Sequence, residues 1–403
     1  MPTDENTTPP SSRGRKPADT PDLTVAARES RAPAPAEKAP PPLVVGHWPH
    51  LRGKDSTRMI MWSVVAALLP AVAASGYFFG IRAYMHIGLA VATAVVIEAV
   101  IQRLRKVPVT AGDGSAVVTG ILVAFCLPAQ ARWFVPIVAA FIAIAIAKQC
   151  FGGLGCNIWN PALIGRAFVH VAYPTDMNPS TYPLLEGGHF TANIGTVTGG
   201  LPEGIQAVTS ASPMAQLKAL ASGTTTTDAI QATLTDKLPG LWDMLLGFRG
   251  GDIGETSALL LLVGAAYLIY RGWVRWQVPL AYLATVAIGA LLLPLSFFDG
   301  AQAEAALRPI ITGAPDLAAR YLGYQLLGGG LVLGAFFMAT DMVTTPLVSR
   351  GLLIFGAGCG VLTILIRLYG GYPEAVCYSI LLMNTTVPLI DRYTQPRIFG
   401  HKK

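Results

Sequence analysis

Charge is scarce in this sequence. Asp, Glu, Lys and Arg make up 13% of its 403 residues, against about 25% in soluble domains. That shortage excludes an ordinary water-soluble fold. Metal-binding spacing is also missing. The five cysteines, Cys126, Cys150, Cys156, Cys359 and Cys377, form no C-x-x-C pair, which removes a zinc knuckle or an all-cysteine iron–sulfur site within this chain. A single cysteine at a segment edge could share a cluster with another protein of a complex, but buried, inert thiols are expected.

Other signatures are absent in the same way. No Walker A, G-x-G-x-x-G or G-x-S-x-G sequence occurs, so an ATPase, a Rossmann domain and an α/β-hydrolase are excluded. No basic block is interleaved with aromatics, so the formal charge of +6 does not point to nucleic acid. His47, His50, His170 and His189 share no metal-ligand spacing with carboxylates. No apolar h-region follows the start, and no cleavable signal peptide is expected.

What the chain has is grease: 52% hydrophobic residues and a mean hydropathy of +0.50. Six runs approach the ~20 residues that cross hydrocarbon: Met59–Phe79, Ile87–Ile101, Trp133–Ala147, Ser257–Tyr270, Val278–Phe298 and Leu352–Ile366. Four less clean runs lie at 115–128, 159–173, 321–340 and 374–390. The expectation is an all-α polytopic membrane protein with about ten spans, nine being the main alternative. Arg103, Arg105, Lys106, Lys148, Arg271, Arg275, Arg350 and the basic C-terminus fall at alternate ends of these runs. By the positive-inside rule both termini are cytoplasmic and the loop after the fifth run is external.

The organisation follows. Residues 1–42, rich in Pro, Ala and Ser, are expected to be a disordered cytoplasmic extension. A first membrane repeat occupies 43–173, the external loop 174–240, a second repeat 241–398, and a cytoplasmic tail 399–403. Asp55 and Ser56 are candidate N-caps for the first span. The repeat rests on "FGGLGCNIWNPALIGR" (Phe151–Arg166) and "FFMATDMVTTPLVSR" (Phe336–Arg350), each with an aromatic ten residues before a proline. "GDGS" (Gly112–Ser115) similarly has a loose counterpart in "GDIGETS" (Gly251–Ser257). Five spans per half would insert with opposite topology, as in inverted-repeat transporters.

Asp113, Asn157, Asn160, Asp252, Glu255 and Asp341 all sit in Gly- or Pro-punctuated stretches near membrane depth. Such groups face a cavity or the bundle interior, or else cap broken helices. Asn157 and Asn160, three apart, can share one helix face. Glu98, close to Arg103, Arg105 and Lys106 in sequence, is expected to snorkel toward the interface. In the external loop, "VTSASPMAQL" (Val208–Leu217) carries a hydroxyl cluster. On spacing alone Ser212 is an N-cap, with Pro213 at the first helical position.

Four stretches taken together resemble one family: Pro49–Ala71, Gly112–Pro128, Gly153–Phe168 and Ala339–Leu347. It unites the D-type component of Rnf electron-transport complexes with the B-type component of sodium-pumping NADH:quinone oxidoreductases, and the lead-in to the first span looks more like Rnf. The resemblance covers about Val44 to Ile398. It implies two inverted five-helix halves, similar in fold to urea transporters. It also implies FMN ester-linked through its phosphate to a hydroxyl in the external loop. The family's attachment signature, roughly D-[GA]-x-[ST]-G-A-T, falls on "QAVTSAS" (Gln206–Ser212), making Ser212 the acceptor and Thr209 the fallback. Gln206, Ser210 and Ser212 depart from that pattern. A serine hydroxyl can form the same phosphoester.

The resemblance further implies a non-covalent riboflavin in the bundle, with Asn157 and Asn160 at its pocket. Implied partners are the other Rnf membrane proteins: the FMN-carrying G-type component, the iron–sulfur A- and E-type components, and the C-type component. Membrane lipid and a flavin transferase complete the set. The implied location is the bacterial inner membrane. The implied work is electron relay by a redox-driven, ion-translocating enzyme, moving Na⁺ or H⁺ with Asp113, Asp252 and Asp341 as route candidates. Such a component has no stand-alone activity and binds no NADH itself. A solute channel of the urea-transporter kind is the alternative from another class.

Overall fold

In the computed structural model, the described residues are 55–177, 185–186, 189–190, 214–215, 217–218, 238, 240–247, 251–255, 257–293, 315–371 and 374–395. The chain separates into two units, Met1–Gly53 and Lys54–Lys403, and every described residue belongs to the second. Ser212 and Thr209 lie outside the described residues.

Each of the ten apolar runs is helical over most of its described length. In chain order the elements are α1 (Thr57–Phe79), α2 (Ile81–Leu104), α3 (Ser115–Phe125) and α4 (Val135–Phe141), which continues as a π-helical segment, Ile142–Gln149. Then come α5 (Pro161–Ala172), α6 (Pro174–Met177) and a two-residue hairpin, β1 (Leu185–Glu186) with β2 (His189–Phe190). The second half has α7 (Leu241–Leu246), α8 (Ala258–Tyr270), α9 (Gln277–Leu292), α10 (Pro315–Leu327) and α11 (Leu331–Leu333). α11 continues as a second π-helical segment, Gly334–Met338, and is followed by α12 (Ser349–Tyr369) and α13 (Val376–Thr394).

Among the described residues three helices, α1, α2 and α12, are long and apolar enough to cross a membrane alone. A bent pair, 318–327 with 331–338, meets the same test with a 56° break. Five further apolar helices, Ser115–Phe125, Val135–Gln149, Pro161–Ala172, Ala258–Tyr270 and Gln277–Leu292, are shorter. A broken helix is tolerated at membrane depth only where its freed backbone is covered by protein or faces a cavity.

Local chemistry sets the boundaries. Ser56 caps α1 by accepting from Met59 N–H at 3.2 Å, as its position before the first apolar run predicts. Gly80, at φ 68°, turns the chain from α1 into α2, a conformation that a Cβ would oppose. Pro161 occupies the first turn of α5, where no N–H is needed.

Small residues then let the helices approach, since lipid supplies no hydrophobic drive between them. A Cβ on Gly356 would lie 2.6 Å from the Val278 carbonyl oxygen, and one on Gly360 2.6 Å from Thr285 Cβ. These contacts seat α12 on α9. Gly264 does the same for α8 on α1, where a Cβ would collide with the Ala67 carbonyl. Gly264→Ala is therefore expected to lower stability by about 1–3 kcal/mol through overpacking. Thermal melting in detergent checks this against Gly88→Ala, whose added methyl meets nothing within 4 Å.

Two apolar cores result. The larger runs through both halves of the bundle. The smaller gathers Met214, Leu217, Leu238, Met244, Tyr321, Tyr324, Ile364 and Leu368 around α7, α10 and the end of α12.

Candidate functional site

A cavity of about 100 Å³ is lined by residues from both the first and the second half of the sequence. Its lining includes Leu154 and Met342, both exposed, with Trp273, Phe336 and Phe337. Its polar side holds Ser115, Lys148, Asn157, Asn160 and Asp341. Three of the residues singled out in the sequence, two from the first half and one from the second, therefore meet at one place.

Asn160 is 3% exposed and already well used. Its Oδ1 accepts from Ala162 N–H at 3.0 Å, capping α5, and its Nδ2 donates to the Met338 carbonyl at 3.1 Å across the bundle. Asn384, 1% exposed, completes the link when its amide is oriented by its neighbours. Its oxygen then accepts from Asn160 N–H at 3.2 Å and its nitrogen donates to Thr344 O at 3.3 Å. Asn157 donates to the Trp159 carbonyl at 3.2 Å and lines the cavity together with Asp341. An amide has two donors and two acceptor lone pairs, so each asparagine keeps capacity toward the cavity. Capping and ligand binding are compatible here.

Beside the cavity lies a closed ionic cluster. Lys148 Nζ stands 2.8 Å from Glu98 Oε1, with side chains 2% and 1% exposed, and donates to Ser115 Oγ at 2.7 Å. Gln149 and Gln102 donate to Glu98 at 3.0 and 3.3 Å. Glu98 does not snorkel, contrary to what its sequence context suggests. The π-helical segment brings Lys148 inward, and the pair neutralises itself in the interior. Asp113 takes the capping role, accepting from Ser115 N–H at 2.8 Å and Ser115 Oγ at 2.7 Å. It touches the cavity only through that serine.

Asp252 belongs to a second cluster. Arg166 on α5 binds Asp252 at 2.9 Å and also Glu374. Carboxylate oxygens of Asp252, Glu255 and Glu374 lie within 4.8 Å of one another. Such a set could gather round a cation, but Arg166 already supplies the positive charge to two of the three. Arg367, 2% exposed, donates to the carbonyls of Gln325 (2.5 Å), Gly328 (2.8 Å) and Gly329 (3.3 Å). It thereby satisfies the C-terminal carbonyls of α10 at the bend. In the loop before α4, Arg132 pairs with Asp176 at 2.7 Å, and that hydrogen bond raises the guanidinium pKa.

Arg166, Arg367 and Asn384 carry no motif that marks them for chemistry. Arg166 stands out in the sequence only as the end of a repeated stretch. A polar or charged residue inside an apolar run is the signal that points to Arg166 and Asn384; Arg367 stands one residue beyond such a run. The cysteines divide: Cys126, Cys359 and Cys377 are buried, whereas Cys150 and Cys156 are exposed.

Comparison with known proteins joins these observations. The family model described as "NQR2, RnfD, RnfE family" matches residues 44–400. The D component of the Na(+)-translocating ferredoxin:NAD(+) oxidoreductase complex of Acetobacterium woodii is 43% identical over 364 residues, 90% of this chain and 96% of the relative. The D component of the proton-translocating ferredoxin:NAD(+) oxidoreductase complex of Clostridium ljungdahlii is 43% identical over 356 residues, 88% of this chain and 95% of the relative. The D component of the ion-translocating oxidoreductase complex of Pectobacterium atrosepticum is 36% identical over 372 residues, 88% of this chain and 98% of the relative. With its apolar helices and a match from 44 to 400, this integral membrane chain belongs to the NQR2, RnfD, RnfE family.

Proposed function

We propose that this chain is the D-type membrane component of an Rnf complex, an ion-translocating ferredoxin:NAD⁺ oxidoreductase. It relays electrons between the external and cytoplasmic sides of the inner membrane. The carrying observation is the cavity in which Asn157 and Asn160 from one half meet Asp341 from the other, within a family whose members bear that name.

The chain's residues fit a flavin in chemistry. Asn157 and Asn160 would hold one polar edge of a bundle riboflavin, and Trp273, Phe336 and Phe337 offer aromatic walls. The cavity is small against the ~300–1,000 Å³ of usual ligand pockets, so lining side chains such as the exposed Leu154 and Met342 must yield to admit a three-ring system. Ser212, with Thr209 as fallback, would carry FMN as a phosphoester. Flavins supply one- and two-electron redox chemistry; the protein supplies orientation and electrostatics. Here Lys148 is held in place by Glu98, and the buried Asn160 amide is fixed by capping and by a cross-bundle bond.

Inverted five-helix halves with about ten spans are the architecture we infer. In support, a π-helical segment stands at or near the start of each repeated stretch, Ile142–Gln149 and Gly334–Met338. Each is followed by an irregular turn that ends in a proline, Pro161 or Pro346. A 3₁₀ turn precedes both α3 and α8. In this topology the termini are cytoplasmic and the 174–240 loop is external. Asp341 at the cavity, Asp252 in the Arg166 cluster and Asp113 at the start of α3 are the acids of the ion route. The G-, A-, E- and C-type components are the partners, and a flavin transferase matures the loop.

The test is a denaturing gel of the purified chain under ultraviolet light. The parent is expected to fluoresce and Ser212→Ala to lose the band, with Thr209→Ala unchanged. A band that persists in Ser212→Ala sinks that acceptor, and a dark parent removes covalent flavin altogether.

A further inference from the structure

The end of α8, the start of α9 and the start of α12 surround a second, open pocket of about 520 Å³. That volume lies within the ~300–1,000 Å³ of ligand sites, and the pocket shares only Val274 with the asparagine-lined cavity. Its lining includes Ile269, Arg275, Trp276, Gln277, Leu347 and Ser349. Aromatic side chains mark its level: Tyr267, Tyr270 and Trp276 are exposed, and Trp273 carries the Arg271 guanidinium 4.5 Å above its ring. Such a belt stands at the membrane–water interface. The polar equipment suits an anion. Arg275 is held in place, its Nη1 donating to the Leu347 carbonyl at 2.6 Å. No side chain caps α12, so the first N–H groups of this 21-residue helix lack partners within it and present its positive end. Gln277 adds a buried Oε1 with no hydrogen-bond partner among the described residues, an acceptor in want of a donor.

We propose that this pocket binds the headgroup of an anionic phospholipid, with its phosphodiester between Arg275 and the N-terminus of α12. A planar guanidinium and free helix N–H groups have phosphate as their common ligand, and basic pockets between membrane helices hold such headgroups. The balance of charge agrees. The end of α13 packs on the start of α12, where a Cβ on Gly351 would lie 3.1 Å from Thr394 Oγ1. Across 269–277, 347–350 and 390–395 the charged residues are four arginines and one aspartate. That aspartate, Asp391, is engaged by Leu347 N–H at 3.1 Å. Free phosphate would satisfy the same donors, but it brings no acyl chain to the exposed Leu280 and Leu347 beside them. A lipid uses both the charge and the apolar rim. The glycerol hydroxyls of phosphatidylglycerol also supply the donor that Gln277 lacks. This site is independent of any flavin in the chain.

The test melts the full-length chain, stripped of lipid in detergent, while phosphatidylglycerol, phosphatidylcholine or inorganic phosphate is titrated in. Phosphatidylglycerol is expected to raise the melting temperature saturably, and the other two to leave it unchanged. Arg275→Gln and Ser349→Asp should each need at least tenfold more phosphatidylglycerol for half the shift. Arg103→Gln, which removes an exposed arginine outside the pocket, should respond as the parent does. Ser349→Asp guards against a variant that fails to fold. A carboxylate in the first turn of α12 favours the helix while it repels the headgroup, so without lipid this variant is expected to melt no lower than the parent. An equal shift from phosphatidylcholine overturns the site, as does a phosphatidylglycerol response unchanged in both pocket variants or equally weakened in Arg103→Gln. A shift reproduced by inorganic phosphate overturns the lipid as its ligand.

Discussion

Arg166→Met is expected to cost about 3–5 kcal/mol, the range seen when one partner of a buried ion pair is removed. The arginine binds Asp252 and Glu374 together, and Glu255 is close by. Its loss leaves three carboxylates close together with no guanidinium between them, Asp252 and Glu255 among them buried. Two outcomes are open to such a cluster: it takes up protons until the repulsion is tolerable, or the halves part. Arg166→Lys keeps the charge but lacks a planar fork able to reach two carboxylates at once, so an intermediate loss is expected. Thermal melting of the purified chain ranks the three proteins. A methionine variant as stable as its parent would mean that Arg166 contributes no net stabilisation, and that the cluster is equally content protonated.

That network also marks the limit of what a single sequence discloses. The helices were legible because span length and hydropathy are local properties, and each apolar run folds as helix. Ser56 was legible for the same reason, since a cap acts within one turn. Arg166 was not, because its partners lie 86 and 208 residues away and no periodicity connects them. Glu98 shows a different failure. Its nearest charges in sequence are Arg103, Arg105 and Lys106, which suggest a side chain reaching for the interface. Its true partner is Lys148, turned inward by a π-helical segment that hydropathy cannot foresee. At the cavity, the amide motif singles out Asn157 and Asn160, which line it. What it could not separate was capping from binding, and Asn160 has the chemistry for both.

The Glu98–Lys148 pair gives the sharpest test of a closed ionic unit. Lys148→Met leaves a carboxylate that is 1% exposed with only the amides of Gln102 and Gln149. Glu98→Gln leaves an ammonium whose remaining bond in the cluster is to Ser115. Each single change is expected to cost about 3–5 kcal/mol. In the double variant Glu98→Gln/Lys148→Met no charge remains to be buried, and the penalty should fall well below the sum of the singles. Isosteric replacement of a buried pair by neutral groups is often close to neutral. Melting temperatures of all four proteins, converted through a double-mutant cycle, measure the coupling. Strict additivity would show that each charge is satisfied separately, and that Lys148 stands at the cavity wall as a free cation. Strong coupling instead makes the pair a neutral wall element, leaving Asp341 as the remaining acid that lines the cavity.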